Sequence, residues 1–219
     1  MRAGGVIVTR SERTVHSTIR VLLLSHLFLL IGCSSVSLSK AFKASLNTKY
    51  PIEEKIVGGY DMSRLSEAPL RALLIAKLDL PRQDAFDLML SGLHKWFPNL
   101  EEFTWSNTRN GKIVVGSVRT GKYKGDKMVE YVRYIKPGHF YVYQIDLDKT
   151  EKFIPISNHM GVFTVEELPN HSSLVIWRQY FDSRIPLMGS FVAWIMEDWV
   201  AQGAFDNLVE IYGGQRIKY

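Results

Sequence analysis

The residues able to do chemistry are few, and their spacing limits what they could do. Glu130 and Arg119 fall on neighbouring stretches of strand-like sequence, where a carboxylate and a guanidinium could form a buried ion pair or meet a polar ligand group. His159, with its near-neutral pKa, is a third candidate for proton transfer, while His94, His139 and His171 fall on helix and loop positions. Asp146-Leu147-Asp148-Lys149-Thr150 puts two carboxylates two positions apart behind the run Phe140-Tyr141-Val142-Tyr143-Gln144-Ile145. There is no Gly-x-Ser-x-Gly, His-Glu-x-x-His, phosphate-binding Gly-rich loop or Cys-x-x-Cys, so no metal site or cofactor is expected. The single cysteine, Cys33, excludes a disulfide framework and every multi-cysteine zinc site.

These side chains need a framework. The chain has 219 residues, 46% hydrophobic and 22% charged, which suits one globular domain that needs no metal or disulfide staple. From Pro69 onward the pattern is regular. Residues 70–78 form a compact apolar run that fits a strand, and 84–96 carry apolar residues at helical spacing, read as two short helices around Gly92. Six strands are then expected, at 102–107, 113–122, 127–135, 140–146, 156–167 and 173–182. Turn residues such as Asn110-Gly111, Gly125, Pro137-Gly138 and Pro169-Asn170 separate them at hairpin length, which implies an antiparallel meander. The Asp146 segment resembles the Asp-x-Asp-x-Thr loop of haloacid-dehalogenase-like phosphatases. Those enzymes need Mg²⁺, a parallel sheet and a later acidic pair that the remaining ~70 residues do not offer, so it is read as a turn. After Pro186, Phe191, Trp194, Ile195, Trp199, Phe205, Leu208, Val209 and Tyr212 recur every three or four residues, the mark of one long amphipathic helix closed by Gly213-Gly214.

Strand parity separates inward from outward positions. On 173–181, Arg178 belongs in water, so Trp177 and its alternates Val175, Gln179 and Phe181 face the core. The same rule turns Tyr141, Tyr143 and Ile145 inward, and with them His159, Phe163 and Val165. Trp177, Trp194 and Trp199 suit core packing.

The amino terminus carries Arg2, Arg10, Arg13 and Arg20 against Glu12, a charge of +3 out of the chain's +5. The remainder is close to neutral, so nucleic-acid binding is not expected. The basic flank is followed by Val21 to Gly32, twelve residues, too short to cross a bilayer and suited to a secretory signal over 1–32. Leu30-Ile31-Gly32-Cys33 resembles the lipobox of bacterial lipoproteins. That resemblance implies acylation of Cys33, a tether over 33–68 and a lipid anchor, with protein partners unknown. Ser34 in place of Asp favours the outer membrane, facing the periplasm, by resemblance to enterobacterial sorting rules. The basic hairpin 122–127 reads as a solvated turn that could touch anionic headgroups.

A strand, two short helices, a meander and a long last helix, with Gly116-Ser117-Val118-Arg119, Val129-Glu130-Tyr131, Lys136-Pro137-Gly138, Ser173 to Trp177 and Ile211-Tyr212-Gly213-Gly214, resemble the START-like (SRPBCC, polyketide cyclase/dehydrase-like) superfamily. The resemblance implies an α+β helix-grip fold over 69–215, with a curved antiparallel sheet of six to seven strands around the last helix and a tail over 216–219. It also implies a cavity for a hydrophobic or lipid-like molecule, and it places Glu130 inward. The expected ligand-binding residues are Arg119, Glu130, Tyr141, Tyr143, His159, Phe163, Trp177 and Trp194, with no catalytic group assigned. Three functions compete: a membrane-anchored carrier or sensor; a cyclase, aromatase or dehydratase using Glu130, Arg119 or His159; and an interaction module whose hollow is filled by its own side chains, favoured by a volume below ~300 Å³.

Overall fold

The structure, a computed structural model, describes residues 56–57, 60–61, 70–151 and 153–217. The expected signal segment, Cys33 and most of the expected tether lie outside the described residues. Within that tether, β1 (Ile56–Val57) and β2 (Tyr60–Asp61) pair as a short antiparallel ladder where the sequence pattern indicates only a spacer.

The main chain of events begins with β3 (Leu70–Leu78), α1 (Arg82–Ser91) and a 3-10 turn (Leu93–Lys95). Six strands follow: β4 (Leu100–Ser106), β5 (Val118–Tyr123), β6 (Asp126–Lys136), β7 (Phe140–Ile145), β8 (Ile156–Leu168) and β9 (Ser172–Ser183). The last helical stretch runs through α2 (Gly189–Trp194), a π-helical segment (Ile195–Ala201) and α3 (Gln202–Tyr212) into β10 (Gly214–Arg216). One eight-stranded sheet results, ordered β10-β3-β9-β8-β7-β6-β5-β4, with every neighbouring pair antiparallel. The sheet has eight strands where six to seven are expected, and the added one is β10. It draws Arg216, expected to open a tail, into pairing with Ala76 of β3.

Local chemistry explains the hairpins. Between β5 and β6, Lys124 and Gly125 both take positive φ, the backbone of a type I′ turn, whose twist matches that of the flanking strands. The expected strand over 113–122 starts only at Val118. Before it, the Ser117 hydroxyl donates to the Asn107 carbonyl (3.1 Å) and accepts from the Val114 N–H (2.9 Å), holding a loop in place of a ladder. Register shifts in β3, β4, β6 and β8 bend the sheet.

The concave side is filled with aromatic rings. Tyr141, Phe163, Trp177 and Leu74 are paired in one row across four strands. Phe163 stacks on Trp177 (5.0 Å, 11°) and Trp177 on Phe205 of α3 (6.0 Å, 11°), while Trp96 meets Phe205 edge-on. Two hydrogen bonds fix the helices to this row: Tyr141 Oη donates to the Met89 carbonyl (2.7 Å) and Asn207 Nδ2 to the Trp96 carbonyl (2.7 Å). Leu73, Ile75, Leu174, Ile176 and Ile217 form a second cluster from the alternate positions.

Two expectations are corrected here. Arg178 is not in water: it is 5% exposed, and its Nη1 donates to Thr164 Oγ1 (3.2 Å). Its face of β9 is itself buried around Leu174 and Ile176, so alternation separates two cores instead of core and solvent. Trp194 is not inward: it is 46% exposed and stacks on Phe191 (5.8 Å). In regular α-winding Trp194 would lie about 20° and Phe191 about 40° around the axis from Phe205. The π-helical turn takes up an extra residue and rotates α2 by roughly 100°, which puts Val192 and Met196 inside against Ile156 and Phe181. Trp199 is on the π-helical segment.

Phe205→Ala should therefore cost about 3–5 kcal/mol in urea unfolding, whereas Phe191→Ala should stay within about 0.5 kcal/mol of wild type.

Candidate ligand cavity

The aromatic stack leaves one part of the concave side open. Over β5, β6 and β7 a cavity of about 180 Å³ is walled by Phe103, Met128, Ile145, Tyr143 and Trp177. Leu93, Phe97 and Leu100 close one side, Phe153, Ile154 and Pro155 of the β7–β8 loop another, and Ile195 and Met196 of the π-helical segment lie over it. The walls are almost wholly apolar; the charged groups among them are Arg119 and Glu130.

Arg119 and Glu130 face each other directly across β5 and β6. Arg119 Nε donates to Glu130 Oε2 (2.5 Å), and Nη1 reaches the Leu90 carbonyl (3.4 Å) at the end of α1. Leu90 and Met89 are among the last four residues of that helix, whose carbonyls lack intrahelical donors, so Arg119 and Tyr141 supply what the helix end needs. Phe103, Trp105 and Tyr143 surround the guanidinium with their centroids 5.4 to 5.6 Å away. Burial works against its charge, but the Glu130 carboxylate outweighs this and holds the Arg119 pKa above its ordinary value. Burial pushes the Tyr141 and Tyr143 phenols up, so both stay protonated. Tyr143 Oη accepts from Trp177 Nε1 (3.0 Å). Its ring lies against Gly161 of β8, where a β-carbon would overlap it.

Of the expected site residues, Arg119, Glu130, Tyr143 and Trp177 come together on the cavity wall. Tyr141 and Phe163 are buried in the stack behind it. Trp194 is outside, for the reason given above. His159 is buried behind the cavity wall, its ring 5.5 Å from that of Tyr143, and also borders a polar depression with Arg133, Gln144 and Asn158. β8 shifts register between Ser157 and Met160, and His159 within that irregularity is turned inward as expected, but onto the back of Tyr143 and not into the cavity. Its Nδ1 accepts from the Ile145 N–H (3.3 Å), which makes Nε2 the protonated nitrogen of the neutral ring. Phe97, Phe153, Ile154 and Met196 were missed, the first three because short connections carry no periodicity to read. The Asp146 loop is a turn: Asp146 Oδ1 accepts from the Asp148 and Lys149 N–H groups (3.2 Å each), and Thr150 Oγ1 accepts from the Val129 N–H (3.1 Å).

Solved structures share this arrangement. A Thermobifida fusca protein superposes with a TM-score of 0.54 at 21% identity, covering 65% of this chain and 92% of its own. The XoxI protein of Bacillus cereus gives 0.52 at 16% identity, over 64% and 94%. A Helicobacter pylori protein gives 0.52 at 10% identity, over 80% and 99%. The fold is the START-like helix grip. At these identities the likeness concerns fold alone. No protein-family profile matches the chain, and no curated protein matches its sequence. The helix-grip cavity is thus described by its own residues, and among the described residues no cluster of His, Cys, Asp and Glu could hold a metal.

Burial of His159 gives a pH test. Desolvation lowers its pKa to about 4, with the Gln179 amide opposing that shift. The unfolded chain, titrating near 6.5, binds the proton first, so stability present at pH 7 is lost as pH falls from about 6.5 toward 4. Urea midpoints should show a loss of about 3 kcal/mol over that window, and His159→Gln should remove this part of the slope.

Proposed function

We propose that this chain binds a small hydrophobic or amphiphilic molecule in the helix-grip cavity, as a carrier or sensor, and is held at a bacterial envelope membrane through acylated Cys33. The observation that carries the binding reading is the open, apolar cavity with a charged pair on its wall. Its volume bounds the guest. About 180 Å³ is below the ~300 Å³ of ordinary ligand pockets, as the filled-core alternative expects, but above the ~150 Å³ of an apolar cavity that admits benzene. A single ring or a short chain fits without rearrangement.

The enzyme alternative has less support. Glu130 gives one oxygen to the Arg119 guanidinium and has only Oε1 left toward a guest, and the His159 ring stands behind Tyr143 instead of on the cavity wall, so no acid–base pair converges on a guest. The membrane reading draws support from the cavity's surroundings. Phe153, on the wall itself, is 74% exposed, and Leu187, Met188, Phe191 and Trp194 present further apolar surface just before the π-helical segment. Aromatic rings of this kind suit a membrane interface.

Solvent extraction of the purified protein followed by mass spectrometry should yield a bound species of ring or short-chain size. Met196→Trp, which fills the cavity, should weaken binding of a fluorescent apolar probe at least tenfold while near-UV circular dichroism shows the variant folded; unchanged binding would move the site elsewhere. Separately, labelled palmitate should be incorporated in cells and lost in Cys33→Ser.

A further inference from the structure

The charged pair is not presented to the cavity symmetrically. Arg119 is 3% exposed, its Nε and Nη1 are used on Glu130 and Leu90, and its Nη2, which has no hydrogen-bond partner among the described residues, is buried within the three rings that enclose the guanidinium. Glu130 keeps 13% of its side-chain surface, and only Oε2 takes part in a hydrogen bond. Oε1 accepts none from the described residues and belongs to a side chain on the cavity wall. The guest therefore meets an acceptor with an open lone pair on a wall that also carries the polar side chains of Gln179 and the enclosed Arg119.

Resting on the binding reading above, we propose that the cavity selects molecules whose polar end is a hydrogen-bond donor, a hydroxyl or N–H seated on Glu130 Oε1, and rejects carboxylic acids. A hydroxyl gives a charge-assisted bond to an oxygen that would otherwise lose water without replacement. An ether oxygen in the same place sets lone pair against lone pair. A ligand carboxylate adds a second negative charge beside Glu130, and the one unpartnered Arg119 donor, Nη2, is buried among the rings of Phe103, Trp105 and Tyr143. This excludes fatty acids as guests and admits phenols, short alcohols and indole-like rings.

The test uses the full-length chain and four probes of one size: 4-ethylphenol, its methyl ether 4-ethylanisole, 4-ethylbenzoic acid and propylbenzene, titrated by calorimetry at pH 7. The phenol should bind at least tenfold tighter than the ether and the acid. In Glu130→Gln the amide oxygen can take the Arg119 Nε–H and leave the NH₂ toward the cavity, to which phenol and ether oxygens can both accept, so the tenfold preference for the phenol should disappear; near-UV circular dichroism checks that the variant is folded. The wild-type ratio decides the matter even if that variant fails to fold. An ether that binds as well as the phenol, or an acid that binds better, overturns the donor rule while leaving the cavity a binding site. No binding by any of the four, propylbenzene included, overturns the binding reading and this inference with it.

Discussion

The Arg119 guanidinium is where the parts of this molecule meet. It lies opposite Glu130 on the next strand, reaches the carbonyl end of α1, and is enclosed by rings from β4 and β7. Each contact answers a separate requirement: a buried charge needs a counter-charge, a helix end needs donors, and electron-rich ring faces accept a cation. Removing either member of the pair would leave the other charged and desolvated, so the pair also fixes the register of β5 on β6. The cavity inherits its only charged wall from this arrangement, and that is why its polarity is one-sided.

The concave side is divided between structure and vacancy. Tyr141, Phe163, Trp177 and Phe205 interlock and account for the grip of the sheet on the last helix. Beyond Trp177 the row runs out of large side chains: Gly161 occupies the position beside Tyr143, and the neighbouring strands offer Gly121 and Met128. Tyr143 belongs to both parts, since its ring leans on Gly161, its oxygen on Trp177, and its face on Arg119.

Much of this was legible in the sequence because strand alternation and turn chemistry are local. Trp177 was read inward correctly, and the Glu130–Arg119 pairing followed from adjacency of two strands together with a family resemblance. The misreadings share a cause. Placing Arg178 in water assumes that a sheet has one dry face, and here the alternate face of β9 is dry as well. Trp194 departs from the expected face because of a single extra residue, the π-turn, which leaves no mark in hydrophobic spacing. The wall formed by Phe153 and Ile154 comes from a loop, where position is set by tertiary contact.

The π-turn has one more consequence. Deleting one residue between Ile195 and Ala201 would let the segment wind regularly, and Phe191 and Trp194 would swing beneath the sheet into the places of Val192 and Met196. Greasy surface at the cavity's edge is thus a property of winding number, not of composition. A shortened copy of the chain with the same letters would hide those rings and present a drier, closed flank to its surroundings.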